Sequence, residues 1–259
     1  MKQLALLFVF SLGLSPILKA QEAVQHVSVL SYNIHHAENN NGVLDLQGIA
    51  NVILAYNPDI VALQEVDSVA TRTKGVDQLK ELASLTGMYI YFGKAMDLQG
   101  GGYGVGIMSR FPITRSYTLA LPAKNPKAEP RAAAIVTLQL PGDSALQFVS
   151  THLDYAKDGV DRTAQMQLIL KHFEGNTIPT IIAGDFNTTP ASKEMVHWKK
   201  TFTDVTEKAG FTHPAEIPSI KIDYIFIGPK ARFTIISAKT IEETVASDHR
   251  PVFSELEIK

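Results

Sequence analysis

Apolar residues fall in short runs of strand length, each closed by turn formers, at residues 27–32, 60–64, 105–109, 133–140, 146–151, 180–183, 224–227, 233–238 and 252–258. Three segments follow helical spacing instead. Leu46, Ile49, Ala50, Ile53 and Leu54 share a face in residues 46–55, and Met166, Ile169, Leu170 and Phe173 do so in residues 161–173. Residues 76–86 form a third helix, ended by Gly87. So many strands with so few helices predict a mixed α/β protein with at least two sheets rather than a doubly wound one. Residues 38–42 and 121–130 read as surface loops, and Gly100, Gly101, Gly102 and Gly104 as a mobile glycine turn.

The first twenty residues stand apart. Lys2 precedes an almost unbroken apolar run from Leu4 to Leu14, closed by Ser15-Pro16, with Ala20 at a plausible cleavage site. That run is far shorter than the roughly 20 residues needed to cross a bilayer, so residues 1–20 are expected to be a cleaved signal peptide and the mature chain to be secreted or periplasmic. No Pro/Gly/Ser-rich linker divides the rest of the chain, and residues 21–259 are expected to form a single domain. With 45% hydrophobic residues over its 259 positions, the whole chain has ample material for a core without the disulfides that a chain of no cysteines lacks. The missing cysteines also exclude thiolate metal sites, cysteine nucleophiles and a lipidated cysteine anchor. Loss of Lys2 and Lys19 leaves 22 basic against 26 acidic residues, a formal charge of −4.

Polar residues of one chemical kind recur where the apolar strands end. Asn33, Glu65, His152, Asp185 and Asn187 follow such runs, and Asp223, Asp248 and His249 directly precede them. Any one of these carboxylates would be an ordinary turn cap. As a set they are hard oxygen donors and imidazoles held by rigid strands yet facing solvent, which suits Mg²⁺, Mn²⁺ or Ca²⁺ and a catalytic constellation.

The segments Ser31-Tyr32-Asn33, Leu63-Gln64-Glu65, Ser150-Thr151-His152, Gly184-Asp185-Phe186-Asn187, Ile222-Asp223-Tyr224-Ile225 and Ser247-Asp248-His249-Arg250-Pro251 together resemble the ordered motifs of the endonuclease/exonuclease/phosphatase superfamily. The resemblance implies an α+β fold, a four-layer α/β/β/α sandwich of two face-to-face sheets flanked by helices. It further implies that Glu65 is the principal metal ligand, helped by Asn33 and Asp248, and that His249 and Asp223 form a His-Asp pair. His152 is similar to a second histidine of the nuclease and sphingomyelinase branches, and Glu129 sits where the nuclease branch places an orienting glutamate. Asp185 and Asn187 resemble the residues that align the nucleophile and donate to a phosphate oxygen. His152, Asp185 and a metal-bound water remain open as the general acid.

The implied function is a divalent-metal-dependent phosphoesterase acting on a small-molecule or lipid-headgroup phosphate by in-line attack of activated water. The alternatives are a secreted nuclease and a noncatalytic binding module. The intact polar set argues against the last, and a serine hydrolase would want a Gly-x-Ser-x-Gly elbow that is absent. Nucleic acid is the less favoured substrate for an acidic chain, and no protein partner or stable membrane span is expected. His35 and His36 read as loop residues or metal neighbours, Arg72, Lys74 and Arg131 as phosphate contacts or solvated side chains, Arg162 and Gln165 as structural, and His213 as an ordinary histidine.

Overall fold

Strands buried on both faces explain the unbroken apolar runs. In the computed structural model, which describes residues 25–259, alternate side chains of each central strand enter different cores. The elements are β1 (Gln25–Asn33), α1 (Leu46–Tyr56), β2 (Ile60–Ser68), α2 (Gln78–Thr86), β3 (Tyr89–Leu98), β4 (Gly101–Ser109), β5 (Ile113–Leu121), β6 (Arg131–Gln139), β7 (Ala145–His152), α3 (Val160–His172), β8 (Thr180–Asp185), α4 (Lys193–Trp198), β9 (Thr203–Asp204), β10 (Asp223–Gly228), β11 (Phe233–Thr240) and β12 (Val252–Ile258). They build two six-stranded sheets, ordered β11-β12-β1-β2-β4-β3 and β5-β6-β7-β8-β10-β9.

Ile60 and Ala62 of β2 join Ile181, Ala183, Ile225 and Ile227 between the sheets, while Val61 and Leu63 turn outward against Ile49, Ile53 and Leu82 of α1 and α2. On the far side, Ile182, Tyr224 and Phe226 pack with Ile169 of α3 and Trp198 of α4. The layers are therefore α/β/β/α, as expected. Each of these fully buried large aliphatic residues contributes about 1.5–3 kcal/mol relative to an exposed one.

All nine expected strands and all three helices are present, with shifted ends. Helix α2 starts at Gln78 because Asp77 caps it, accepting from the Lys80 N–H. Strands β3 and β5 escaped the sequence pattern. Both are sheet edges, partly open to solvent, and so carry Lys94, Asp97, Arg115 and Ser116 among their apolar residues. The expected mobile glycine turn is corrected. The turn itself lies at Gln99 and Gly100, and Gly101, Gly102 and Gly104 are inside β4. A Cβ on Gly104 would stand 2.1 Å from the Gly93 carbonyl oxygen, so close backbone approach, not mobility, requires glycine there.

The expected signal peptide, residues 1–20, lies outside the described residues. Among those described, no helix is long and apolar enough to cross a membrane.

Candidate active site

Strand ends from both sheets meet at one cavity of about 390 Å³, whose walls include Glu65, His152, Asp185, Asn187 and His249. Register gathers them. His152 lies beside Asp185 across the parallel pair β7–β8, and Asp185 beside Asp223 across the antiparallel pair β8–β10. In the other sheet Asn33 of β1 neighbours Gln64 of β2.

Next in β2 comes Glu65, at a bulge between Leu63 and Val66, with left-handed backbone at φ 58°. A bulge re-aims a side chain. Here it directs Glu65 to the cavity while Gln64 stays buried, donating from Nε2 to Ser150 Oγ of the opposite sheet at 3.3 Å. Asn33 Nδ2 donates to Glu65 Oε1 and to Asp185 Oδ2, both at 3.1 Å, and its Oδ1 accepts from the His35 N–H at 3.1 Å. Asn33 thus clamps carboxylates from the two sheets.

Behind the cavity, His249 Nδ1 is 3.0 Å from Asp223 Oδ2, and both residues are buried. His249 Nε2 faces Asp185 Oδ2 at 3.8 Å. Burial pushes the His249 ring down, but the charge and hydrogen bond of Asp223, with Asp185 and Asp248, outweigh it and raise the ring to about 10. Burial, then the charge of Asp223, pushes Asp185 up to about 7 against the pull of His249 and the hydrogen bonds from Asn187 and Asn33. Two buried carboxyl groups, Asp223 and Asp185, thus flank the His249 ring and both favour its protonated form.

His152 has a different environment. Its Nδ1 is 3.0 Å from Arg131 Nη1, and its Nε2 lies 3.0 Å from Asn187 Nδ2 and 3.5 Å from Asp185 Oδ2. Burial, then the charges of Arg131 and His249, pushes the ring well below the ordinary imidazole value. Glu129, which the resemblance places as an orienting glutamate, lies 2.8 Å from Arg131 Nη1 rather than against His152 itself. The reason is that β6 begins at Arg131: Glu129 stays in the preceding loop, and the strand carries Arg131 to His152.

The donor set fits a divalent cation. Both cavity arginines are committed elsewhere, Arg72 to Asp67 and Arg131 to Glu129, each at 2.8 Å, which leaves the Glu65 charge for another cation. Ligand atoms of His35, His36 and Glu65 lie within 4.8 Å of one another. The two histidines are half-buried rather than exposed in a loop. Asp248 gathers with His213 and His249 within the same limit. His213, read as ordinary, packs its ring 4.6 Å from that of His249, a contact with no local signal in the sequence.

Arg162 and Gln165 are structural, as expected. Arg162 donates to the carbonyls of Asp154 and Ala156, and Gln165 accepts from the Asp154 N–H, so the two hold the loop after His152. Tyr103, Tyr155, Met96 and Leu98 also line the cavity; Tyr103 lies inside the glycine-rich segment, and the other three lie in no motif that spacing revealed.

A cation-ready carboxylate and a His-Asp pair at the edge of two stacked sheets define a metal-dependent phosphoesterase of the deoxyribonuclease-I-like class. Residues 30–249 match the model of the Endonuclease/Exonuclease/phosphatase family, and the chain belongs to that family. An endonuclease/exonuclease/phosphatase from Beutenbergia cavernae is similar at 25% identity and a TM-score of 0.74, over 90% of this chain and 72% of that one. Two further neighbours share the fold. A Bacteroides thetaiotaomicron mannosyl-6-phosphatase has 20% identity and a TM-score of 0.72 over 89% of this chain and 99% of that one. The human nocturnin catalytic domain has 21% identity and a TM-score of 0.72 over 90% and 95%.

Proposed function

We propose that this protein is an exported phosphoesterase hydrolysing a small-molecule or lipid-headgroup phosphate ester by in-line attack of activated water. The observation that carries the reading is the convergence of Glu65, His152, Asp185, Asn187 and His249 on a single cavity, with Asp223 behind His249. Phosphoryl transfer leaves a protein little covalent work, so catalysis rests on positioning and on neutralising charge. Glu65, assisted by Asn33 and Asp248, would hold the cation, Mg²⁺ with Mn²⁺ or Ca²⁺ as substitutes. When bound, it supplies Lewis-acid neutralisation of the phosphate oxygens. His249, fixed by Asp223, steadies the phosphate while protonated; taking a proton from the attacking water requires its neutral form. Asp185 and Asn187 align that water and donate to a phosphate oxygen, and Asn33 keeps Glu65 and Asp185 in register.

Small esters are favoured over duplex DNA by the state of the cationic side chains. Of Arg72, Lys74, Lys124, Lys127 and Arg131, only the two arginines line the cavity, and each is paired with a carboxylate. Duplex binding needs successive phosphates neutralised by Lys and Arg, and an overall acidic chain repels a long polyanion. A small phosphomonoester, phosphodiester or phospholipid is therefore expected to be cut faster than plasmid DNA. Plasmid nicking that outpaces every small ester, falls steeply with salt and disappears in Glu65→Gln would make the protein a nuclease instead.

Export rests on the sequence of residues 1–20. The mature protein is expected to begin near Gln21 and to be found outside the cytoplasm, which N-terminal sequencing of the exported protein tests. Cytoplasmic protein retaining Met1 would overturn it.

A further inference from the structure

We propose that Arg131 is a positioning residue that locks His152 as a neutral imidazole protonated on Nε2, so that His152 donates a hydrogen bond to the phosphate and does not serve as the general acid. This rests on the phosphoesterase reading. A guanidinium has only donors and keeps its charge, so at 3.0 Å from Arg131 Nη1 the His152 Nδ1 must be the unprotonated acceptor. The ring proton then sits on Nε2.

Asn187 makes the assignment sharper. Its Nδ2 donates to the Leu153 carbonyl at 3.0 Å and stands 3.0 Å from His152 Nε2. A neutral imidazole accepts one hydrogen bond and cannot satisfy both Arg131 and Asn187. The charged donor, roughly twice as strong as a neutral one, prevails. Nε2–H and an Asn187 N–H are then two adjacent donors on the cavity wall facing one another. An acceptor-only group relieves that opposition, and a phosphate oxygen is one.

The surroundings of His152 agree. Arg131, from β6, bears on one side of the ring and is itself held by Glu129 at 2.8 Å and by the Tyr103 hydroxyl of β4 at 3.4 Å. His249, ahead of β12, adds a second positive charge. The opposing charge is Asp185 at the end of β8, 3.5 Å from Nε2. Both Arg131 and His152 are 5% exposed, so solvent does little to screen the guanidinium. A second proton on His152 would place two buried cations in contact.

The test is the ring nitrogen spectrum of His152 in the resting full-length protein, its signals identified by their loss in His152→Asn. Wild-type His152 is expected to show the Nε2–H tautomer and no titration between about pH 5 and 8, where an unperturbed imidazole changes charge. Arg131→Met is expected to bring titration into that window and to lower turnover roughly 100-fold, as loss of an oriented oxyanion donor does. Should that variant fail to fold, Arg131→Lys keeps the charge without the planar fork and is expected to leave His152 neutral with mixed tautomers. A wild-type His152 that titrates in this range or carries its proton on Nδ1 would overturn the proposal, as would an unchanged ring spectrum in the folded variant. Because the spectra come from resting protein, a wrong tautomer and a failure to hydrolyse phosphate esters are read separately.

Discussion

Glu65→Gln is expected to lower phosphate-ester hydrolysis by roughly 100- to 10,000-fold while leaving the melting temperature nearly unchanged. The substitution preserves size and the oxygen that accepts from Asn33 Nδ2 at 3.1 Å, so the clamp between the sheets survives. What is lost is a cavity carboxylate that neither arginine neutralises and that, unlike Asp185, faces no buried histidine pair. Charge neutralisation by a bound cation is worth several kcal/mol at the transition state, and about 1.4 kcal/mol is a factor of ten. Calorimetric titration with Mg²⁺ or Mn²⁺ checks the cause, since affinity should fall with activity. Tight binding retained in an inactive Glu65→Gln protein would move the cation to another group, such as Asp248 with His213 and His249.

His249→Ala and Asp223→Asn are each expected to reduce turnover by roughly 100- to 10,000-fold, the range for a proton-transferring group, and the double variant to lose little more than the worse single one. The two residues share a 3.0 Å hydrogen bond inside the protein, and Asp223 is the main influence holding a proton on a ring that burial would strip. Without His249 the carboxylate has nothing to orient. Without Asp223 the ring loses both its charge and its direction. Groups that act as a unit give strongly non-additive losses. Losses that multiply in the double variant would show that the pair is not a unit, whatever the distance between its atoms.

The site was more legible in the sequence than its wiring. Asn33, His152 and Asp185 stand out because the strands they close are buried on both faces, so a polar residue after the apolar run marks the strand end; after the run that precedes Glu65 it marks a bulge, and β2 continues to Ser68. Edge strands β3 and β5 lack that contrast, and their mixed patterns hid them. Nor does a strand end reveal its neighbours. The row of His152, Asp185 and Asp223 exists only through the registers of β7, β8 and β10. Glu129 and Arg131 lie in one short motif, and only the start of β6 decides which of them reaches His152. His213 has no motif at all; the loop it belongs to folds back on His249.

On the proposed function, hydrolysis depends on a divalent cation held at Glu65. The most direct measurement tracks release of phosphate or alcohol from a panel of phosphomonoesters, phosphodiesters and phospholipids, first in excess chelator and then as Mg²⁺, Mn²⁺ or Ca²⁺ is added back. Activity on at least one ester is expected to vanish with the chelator and to return with the cation in wild-type protein but not in Glu65→Gln. Full hydrolysis in excess chelator, or no ester cleaved with any of the three cations, would contradict it.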